Sequence, residues 1–273
     1  MTVAVTGASG QLGRSVTARL DPADVVLLTR TPENLDARGA QLRRADFDDP
    51  GSLDAAFEGV DRLLLISAHD LERRAGQHLA AIDAAKAAGV RHVVYTSVPN
   101  PTPDNPAAVV PSHRETEEAL RASGMAWTML RNNIYAEFQG PVVAQARAAG
   151  RLYTSVGEGR IAFVSREDCA AAAAAVLTQD GHEGRAYDIT GPEAIGAADL
   201  AALAGAEVVP VDDDAVVAGM IAAGIPESGA RVLTSIHRAG REGFLGNVTS
   251  AVQDLTGTAP RALRDVLVAS PSG

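Results

Sequence analysis

Cysteine and lysine are almost absent from this sequence of 273 residues, which contains one of each, Cys169 and Lys86. A single cysteine excludes an internal disulfide and any cysteine-rich metal site, and the histidines show no metal-ligand spacing, so we expect no metal. Lys86 lies near the end of a predicted helix and is interpreted as a solvent-exposed side chain near the negative end of the helix dipole. Cys169 lies in an alanine-rich helix and is interpreted as a small buried hydrophobic residue.

An excess of positive charge and a long hydrophobic run are also missing. The net charge is −10, the isoelectric point is about 5.1 and the arginines are scattered, which argues against binding to nucleic acid or to an anionic membrane surface. The longest alanine-rich run, 169–177, is too short to span a bilayer. No basic region precedes the strand that starts at residue 2, so we expect no signal peptide and a cytoplasmic protein. A homodimer is a possible assembly of this chain.

The feature that stands out is a set of three glycines near the start. Gly7, Gly10 and Gly13 follow an apolar strand at 2–6 with the spacing G-x-x-G-x-x-G, and a helical pattern of apolar residues comes next. Glycines at such a turn let the backbone approach a pyrophosphate closely, and the helix N-terminus offers it free N–H groups. The predicted dinucleotide-binding residues in this segment are Thr6, Gly7, Ser9, Gly10, Gln11, Leu12 and Gly13.

Strand and helix patterns alternate through the first two thirds of the chain. The predicted strands are 2–6, 25–29, 41–44, 62–67, 92–97, 127–130 and 186–190. The predicted helices are 11–20, 52–57, 72–88, 112–123, 136–149 and 166–178. The runs at 62–67 and 92–97 are almost continuously apolar, which suits strands buried on both faces of a parallel sheet. This alternation predicts an α/β fold with a Rossmann-type, doubly wound parallel sheet.

The chain after residue 190 has a different pattern. Short helices, interrupted at Gly205, Gly219, Gly224 and Gly257, predict a smaller C-terminal substrate lobe. We therefore divide the chain into a Rossmann domain, 1–190, and a lobe, 191–273, to which 135–160 also contributes. Two helix starts carry the pattern of a capping box, at 112–115 and at 165–168. The acidic run 212–214 is interpreted as a solvated helix start.

Polar side chains follow the strands at the edge where ligands bind in such sheets. Arg30 comes directly after the second strand, where an NAD site carries an acidic residue, and its guanidinium suits a 2′-phosphate. The predicted cofactor is therefore NADP. Ser67, Thr96 and Ser97 end two central strands and are predicted to line the cofactor groove. The run 131–133 follows a further strand: side-chain amides there can pair with a carboxamide, although Asn-Asn also favours an ordinary turn.

Several segments together resemble a known family. The sequence is similar to the atypical short-chain dehydrogenase/reductases of the NmrA-like type, most of all to their NADPH:quinone oxidoreductase type 2 and triphenylmethane reductase groups. The likeness is clear over 1–190 and looser beyond. The segments that carry it are Thr6–Gly13, Leu64–Ser67, Ala84–Val90, Tyr95–Ser97, His113–Glu117, Leu130–Tyr135, Gly157–Ala162 and Gly181–Gly184.

Ordinary short-chain dehydrogenases use a Tyr-x-x-x-Lys pair, and this sequence has none. The residues four places after its four tyrosines are Pro99, Gln139, Gly157 and Gly191. His113 and Glu117 occupy the start of the helix where the pair belongs. His113 could donate a hydrogen bond to an acceptor or could simply pack near the helix start. The helix N-terminus opposes its protonation and Glu117 favours it, and the sequence does not decide between them.

The resemblance implies a bound NADP, with Arg131, Asn132 and Asn133 near the nicotinamide half. Alcohol–ketone chemistry is disfavoured without the tyrosine acid, whereas a quinone or similar aromatic acceptor needs little acid help. We expect a quinone-type oxidoreductase in which His113, Asn133 and Tyr135 are the catalytic positions. The alternative is a non-catalytic, NADP-sensing regulator of the NmrA type. A sugar-nucleotide epimerase is disfavoured because it needs the missing Tyr-Lys pair.

Overall fold

A seven-stranded parallel sheet forms the centre of the molecule in the computed structural model, which describes residues 1–269. Its strands are β1 (Val3–Val5), β2 (Val25–Thr29), β3 (Gln41–Arg44), β4 (Arg62–Leu65), β5 (His92–Ser97), β6 (Ala126–Asn132) and β9 (Arg185–Ile189), in the order β3-β2-β1-β4-β5-β6-β9. After β1 the chain adds β2 and β3 on one side of the sheet, and it then returns to add β4, β5, β6 and β9 on the other side of β1, so the strand order switches between β1 and β4. Ligands of open α/β sheets bind at such a switch point, beside the carboxyl ends of the strands.

The helices of the described chain are α1 (Gln11–Thr17), α2 (Gly51–Phe57), α3 (Arg74–Ala87), α4 (Val110–Ala122), α5 (Gln139–Ala149), α6 (Arg166–Thr178), α7 (Ala197–Ala204), α8 (Asp213–Ala222), α9 (Glu227–Arg241), α10 (Ala251–Thr256) and α11 (Leu263–Ala269). Helices α1, α6 and α10 pack on one face of this sheet and α2, α3 and α4 on the other. Within residues 1–269, no helix has the length and apolar character needed to cross a bilayer.

The strands are buried on both faces because successive side chains alternate between two cores. Leu64 belongs to a core with α1, α6 and α10, whereas Leu63 and Leu65 belong to a core with α2, α3 and α4. Strands that bury both faces need continuous apolar runs, which is what the sequence has at β4 and β5. The predicted doubly wound α/β fold is confirmed, and all seven predicted strands of the sheet are present.

Two small sheets lie outside the main one. The antiparallel pair is β8 (Arg160–Ile161) with β10 (Ile195–Gly196), and the parallel pair is β7 (Arg151–Thr154) with β11 (Glu207–Pro210). Segments 139–161 and 195–210 thus share cores, as the packing of Val143 and Leu152 with Ala201 shows. Helix α10 instead packs on α6 beside the main sheet. The division into a Rossmann domain and a substrate lobe stays a prediction.

Some local predictions were wrong. Ser112 does not cap α4, because the helix begins at Val110 with Pro111 in its first turn, a position where proline needs no N–H partner. Gly219 does not interrupt a helix but lies inside α8. Ser165 does cap α6, accepting a hydrogen bond from the Asp168 amide at 2.9 Å.

Three other local predictions hold. Asp212 caps α8, accepting from the Ala215 amide at 2.7 Å. Lys86 is exposed at the end of α3, and Cys169 is a buried free thiol.

Candidate cofactor and acceptor site

The glycine segment forms a tight turn between β1 and α1. Gly7 adopts the left-handed region with φ +59°, which favours glycine. The Gly10 amide donates to the Gly7 carbonyl at 2.9 Å. A Cβ on Gly13 would lie 2.3 Å from that same carbonyl oxygen, so the third glycine is needed for the helix to pack against the turn. The three glycines therefore have different physical roles.

One side of this turn is open. Gly7, Ser9, Gly10 and Gln11 are exposed. Gly10 is the N-cap of α1 and has no side chain to cap it, so the N–H groups of the first helical turn are left for an external acceptor. This backbone can cradle an anion such as a pyrophosphate.

Thr6 and Leu12, also predicted to bind the dinucleotide, are buried and support the turn from behind. The Thr6 hydroxyl donates to the Leu64 carbonyl at 3.1 Å and accepts from the Ile66 amide at 2.8 Å. These two bonds tie the turn to the end of β4. The seven predicted residues are thus one structural unit, in which the exposed members present a surface and the buried ones hold it.

The end of β2 lies beside the glycine turn. The Thr29 hydroxyl donates to the Ser9 hydroxyl oxygen at 3.2 Å, and the Ala8 amide donates to the Leu28 carbonyl at 3.1 Å. Arg30 follows immediately and is exposed. The structure thus brings the predicted phosphate-binding arginine to the edge of the predicted pyrophosphate cradle.

The central strands β4 and β5 end side by side. The Ser67 amide donates to the Thr96 hydroxyl at 2.9 Å, so these two predicted groove residues are adjacent. Ser97 is different, because its hydroxyl donates to the buried carboxylate of Glu117 at 2.8 Å.

Glu117 lies at the centre of an ionic cluster. Arg131 binds its carboxylate with two hydrogen bonds, at 2.9 and 2.8 Å, and Arg121 adds a third at 2.7 Å. Burial alone would raise the pKa of Glu117, but the hydrogen bonds from Arg131 and Ser97 outweigh it and the pKa lies below its ordinary value. The guanidinium of Arg131, predicted to bind cofactor, is therefore directed at Glu117.

The two asparagines after Arg131 are held differently. Asn133 is satisfied within the protein: its amide donates to the Leu245 carbonyl at 3.0 Å and its oxygen accepts from the Ile134 amide at 2.8 Å. Asn132 is buried, and its Oδ1 has no hydrogen-bond partner among residues 1–269. An unpaired buried acceptor is costly unless a ligand satisfies it. Asn132 is therefore the better candidate to bind a ligand amide.

Tyr135 lies just beyond these asparagines. The Asn132 amide is 3.5 Å from its hydroxyl, and the Arg166 guanidinium stacks 5.1 Å from its ring centre. Burial, the largest influence, raises the pKa of the Tyr135 hydroxyl, so the phenol stays protonated and can donate a hydrogen bond.

His113 is buried on α4, and its Nδ1 lies 2.7 Å from the hydroxyl of Tyr95. Burial holds the pKa of His113 well below its ordinary value, and the charges of Arg74 and His78 act in the same sense. Burial and these charges therefore favour the neutral imidazole, and the carboxylate of Glu117, which would favour protonation, is paired with Arg121 and Arg131. Sequence reasoning missed Tyr95, Arg74 and His78 as neighbours of His113.

Comparisons with known proteins agree with this geometry. A family described as NAD(P)H-binding matches residues 7–180. Quinone oxidoreductase 2 of Escherichia coli is 40% identical over 207 residues, which are 73% of this chain and 72% of that protein. The (4-alkanoyl-5-oxo-2,5-dihydrofuran-3-yl)methyl phosphate reductase of Streptomyces griseus is 36% identical over 273 residues, 96% of this chain and 95% of that protein.

Two solved structures share the fold over nearly the whole chain. The E. coli NADPH-dependent quinone oxidoreductase complexed with NADPH superimposes with a TM-score of 0.91 and 34% identity, covering 98% of this chain and 99% of the other. Triphenylmethane reductase of Citrobacter sp. superimposes with a TM-score of 0.90 and 28% identity, covering 99% of each chain.

Proposed function

The chain belongs to the NAD(P)H-binding family, and from that premise we propose that it transfers hydride from NADPH to a quinone or a similar conjugated acceptor. It is an oxidoreductase with NADP as its cofactor. The observation that carries the proposal is the open glycine turn at the sheet's switch point, in a fold shared with an NADPH-bound quinone reductase.

The residues present fit the cofactor. The exposed backbone at Gly7, Ser9 and Gly10 would hold the pyrophosphate, and Arg30 would bind the 2′-phosphate. The unpaired Oδ1 of Asn132 would accept a hydrogen bond from the carboxamide. Bound NADPH supplies the hydride, and the protein supplies orientation. Ser67 and Thr96 would line the groove between the pyrophosphate and the carboxamide. Arg131 would not touch the cofactor but would hold the end of β6 in place through its bonds to Glu117.

On the acceptor side, His113 and Tyr135 would donate hydrogen bonds, because the imidazole is neutral and the phenol keeps its proton. Such donors stabilise the negative charge that develops on an acceptor oxygen as hydride arrives. Asn133 would position the segment at Leu245 rather than touch the acceptor. No strong acid is needed for a quinone, which agrees with the absence of a Tyr-x-x-x-Lys pair.

The remaining partner assignments stay predictions. These are a homodimer, a cytoplasmic location and the absence of nucleic-acid or membrane partners. The proposed small-molecule partner is a quinone-like or aromatic acceptor.

Purified protein is expected to oxidise NADPH steadily with a simple benzoquinone. NADPH deuterated at the transferred position of C4 should give NADP⁺ that has lost this deuterium, with a kinetic isotope effect on kcat if chemistry is slow. Reactions without quinone and without protein are the controls. If the protein binds NADPH tightly but none of several quinones oxidises it, the non-catalytic regulator becomes the better hypothesis and the reductase is rejected.

Arg30→Glu is expected to raise the Kd for NADPH at least about tenfold, the loss of one charge-assisted contact with a phosphate. The Kd for NADH should change much less, because NADH lacks the 2′-phosphate. Arg151→Glu, which makes the same charge change at an exposed position of β7, is the matched control and should bind NADPH normally. Equal affinity of the parent protein for NADH and NADPH would contradict the role of Arg30.

A further inference from the structure

A buried row of polar side chains connects the backbone at Ala68 to His113. The Ala68 amide lies 3.0 Å from Nε2 of His78, and Nδ1 of His78 lies 2.9 Å from the Thr116 hydroxyl. The Tyr95 hydroxyl follows, 3.4 Å from Nδ1 of His78 and 2.7 Å from Nδ1 of His113. All four side chains are buried, so the direction of each hydrogen bond is constrained by its neighbours.

The direction at His78 is set by the backbone. An amide N–H can only donate, so Nε2 of His78 accepts from Ala68 and carries no proton. Burial lowers the pKa of His78 to about 3, and the neutral imidazole must therefore carry its proton on Nδ1. This Nδ1–H donates to the Thr116 hydroxyl oxygen, whose own hydrogen goes to the Ser112 carbonyl at 2.8 Å.

That arrangement limits what Tyr95 can do. Its phenol cannot donate to Nδ1 of His78, which already carries a proton. Nδ1 of His113, at 2.7 Å, is then the nearest acceptor for the phenol hydrogen. If this bond ran the other way, the phenol hydrogen would have no acceptor, because within residues 1–269 the Tyr95 hydroxyl makes hydrogen-bond contacts only with Nδ1 of His78 and Nδ1 of His113. The Tyr95 hydroxyl therefore donates to His113.

We infer that Tyr95 is a positioning residue that holds His113 as the tautomer protonated on Nε2. With Nδ1 occupied by the phenol, the imidazole presents Nε2–H as its free donor. Residues 1–269 make no hydrogen bond to that atom, which is also not sealed from solvent. Resting on the proposed function, this N–H is the donor to the acceptor oxygen. The hydrogen bonds of the Ala68 backbone, His78 and Thr116 set the direction of the Tyr95–His113 bond from outside the site.

The tautomer can be measured without any activity. In long-range ¹H–¹⁵N spectra of the full-length wild-type protein, His113 should show an unprotonated Nδ1 and a protonated Nε2, and the His113→Gln spectrum assigns its signals. The opposite pattern, with the proton on Nδ1, would overturn the inference. A wild type with the expected pattern but no quinone turnover retains the tautomer and overturns only the proposed acceptor.

Kinetics then separate positioning from packing. Tyr95→Phe should lower kcat with benzoquinone about tenfold, near the lower end for a lost proton donor, and leave the KM for NADPH within about twofold. It should also give a ¹⁵N spectrum with both tautomers of His113. In a His113→Ala background, Tyr95→Phe should lower kcat no further, because its effect passes through the imidazole. Equal losses in both backgrounds would show a merely structural role.

The chain offers a matched control for removal of such a hydroxyl. The Tyr187 hydroxyl lies 2.9 Å from Nδ1 of His182, a second phenol–imidazole pair. His182 precedes β9 and so lies at the amino edge of the sheet, away from the glycine turn. Tyr187→Phe should leave kcat and the His113 signals unchanged. A loss of kcat as large as that of Tyr95→Phe would contradict a specific role for Tyr95.

Discussion

Replacing Gly10 by valine is expected to raise the Kd for NADPH at least about 100-fold, equivalent to roughly 2.7 kcal/mol, while the chain stays folded. Gly10 is exposed, so the added isopropyl group would occupy the surface that the pyrophosphate must approach. Its Cβ would lie 3.2 Å from the Gly7 carbonyl oxygen, a tight contact that a small shift of the turn can relieve. The effect therefore falls on binding rather than on folding.

NADPH titration measures the binding, and far-UV circular dichroism with thermal unfolding checks the fold. Gly219→Val is the matched control, because a Cβ at Gly219 inside α8 meets nothing within 4 Å. Gly13 would be a poor test, since its Cβ would lie 2.3 Å from backbone and loss of binding could come from misfolding. Unchanged NADPH affinity in folded Gly10→Val protein would place the cofactor elsewhere.

The main sheet could be predicted from the sequence because its signals are local. Continuous apolar runs mark β4 and β5, and the glycine spacing marks the turn after β1. The four strands of the small sheets were missed. They are only two or four residues long, and β7 pairs with β11 more than 50 residues further along the chain. Their position depends on tertiary contacts, which no local pattern reports.

The candidate site divides in the same way. Its backbone part, the glycine turn and Arg30, follows from residues adjacent in sequence. Its side-chain part does not, because Arg131 meets Glu117 from 14 residues away, and Tyr95 meets His113 from 18. The charge state of His113 likewise depends on burial and on Arg74, on another helix. Sequence could nominate these residues but could not orient them.

Acid is expected to destabilise the protein well above the pH at which carboxylates titrate. His78, His92, His113 and His237 all have pKa values lowered first of all by burial. Each is held neutral in the folded state, whereas in the unfolded chain it binds a proton below about pH 6.5. Their contribution to stability is therefore fully present above that pH and is lost progressively as the pH falls toward the folded-state pKa.

The expected loss is large. Because the pKa of His78 falls from 6.5 to about 3 on folding, lowering the pH from 7.5 to 5 removes about 2 kcal/mol of unfolding free energy through this residue alone. His113 adds a loss of the same sign. Asp188, whose pKa is raised by burial, acts in the opposite sense as the pH falls. Substitution of a single histidine is therefore needed to isolate the histidine contribution.

Urea unfolding across this pH window measures the effect. His78→Gln can still accept from the Ala68 amide and donate to Thr116, but it cannot titrate. It should therefore flatten the pH dependence by about 2 kcal/mol, even if it lowers stability at pH 7.5. His69→Gln, at an exposed position after β4, is the matched control and should leave the slope unaltered. A wild-type unfolding free energy that is the same at pH 5 and pH 7.5 would show that these imidazoles are not held neutral in the folded state. It would also contradict the hydrogen-bond directions inferred from Ala68 to His113, because they require a neutral His78.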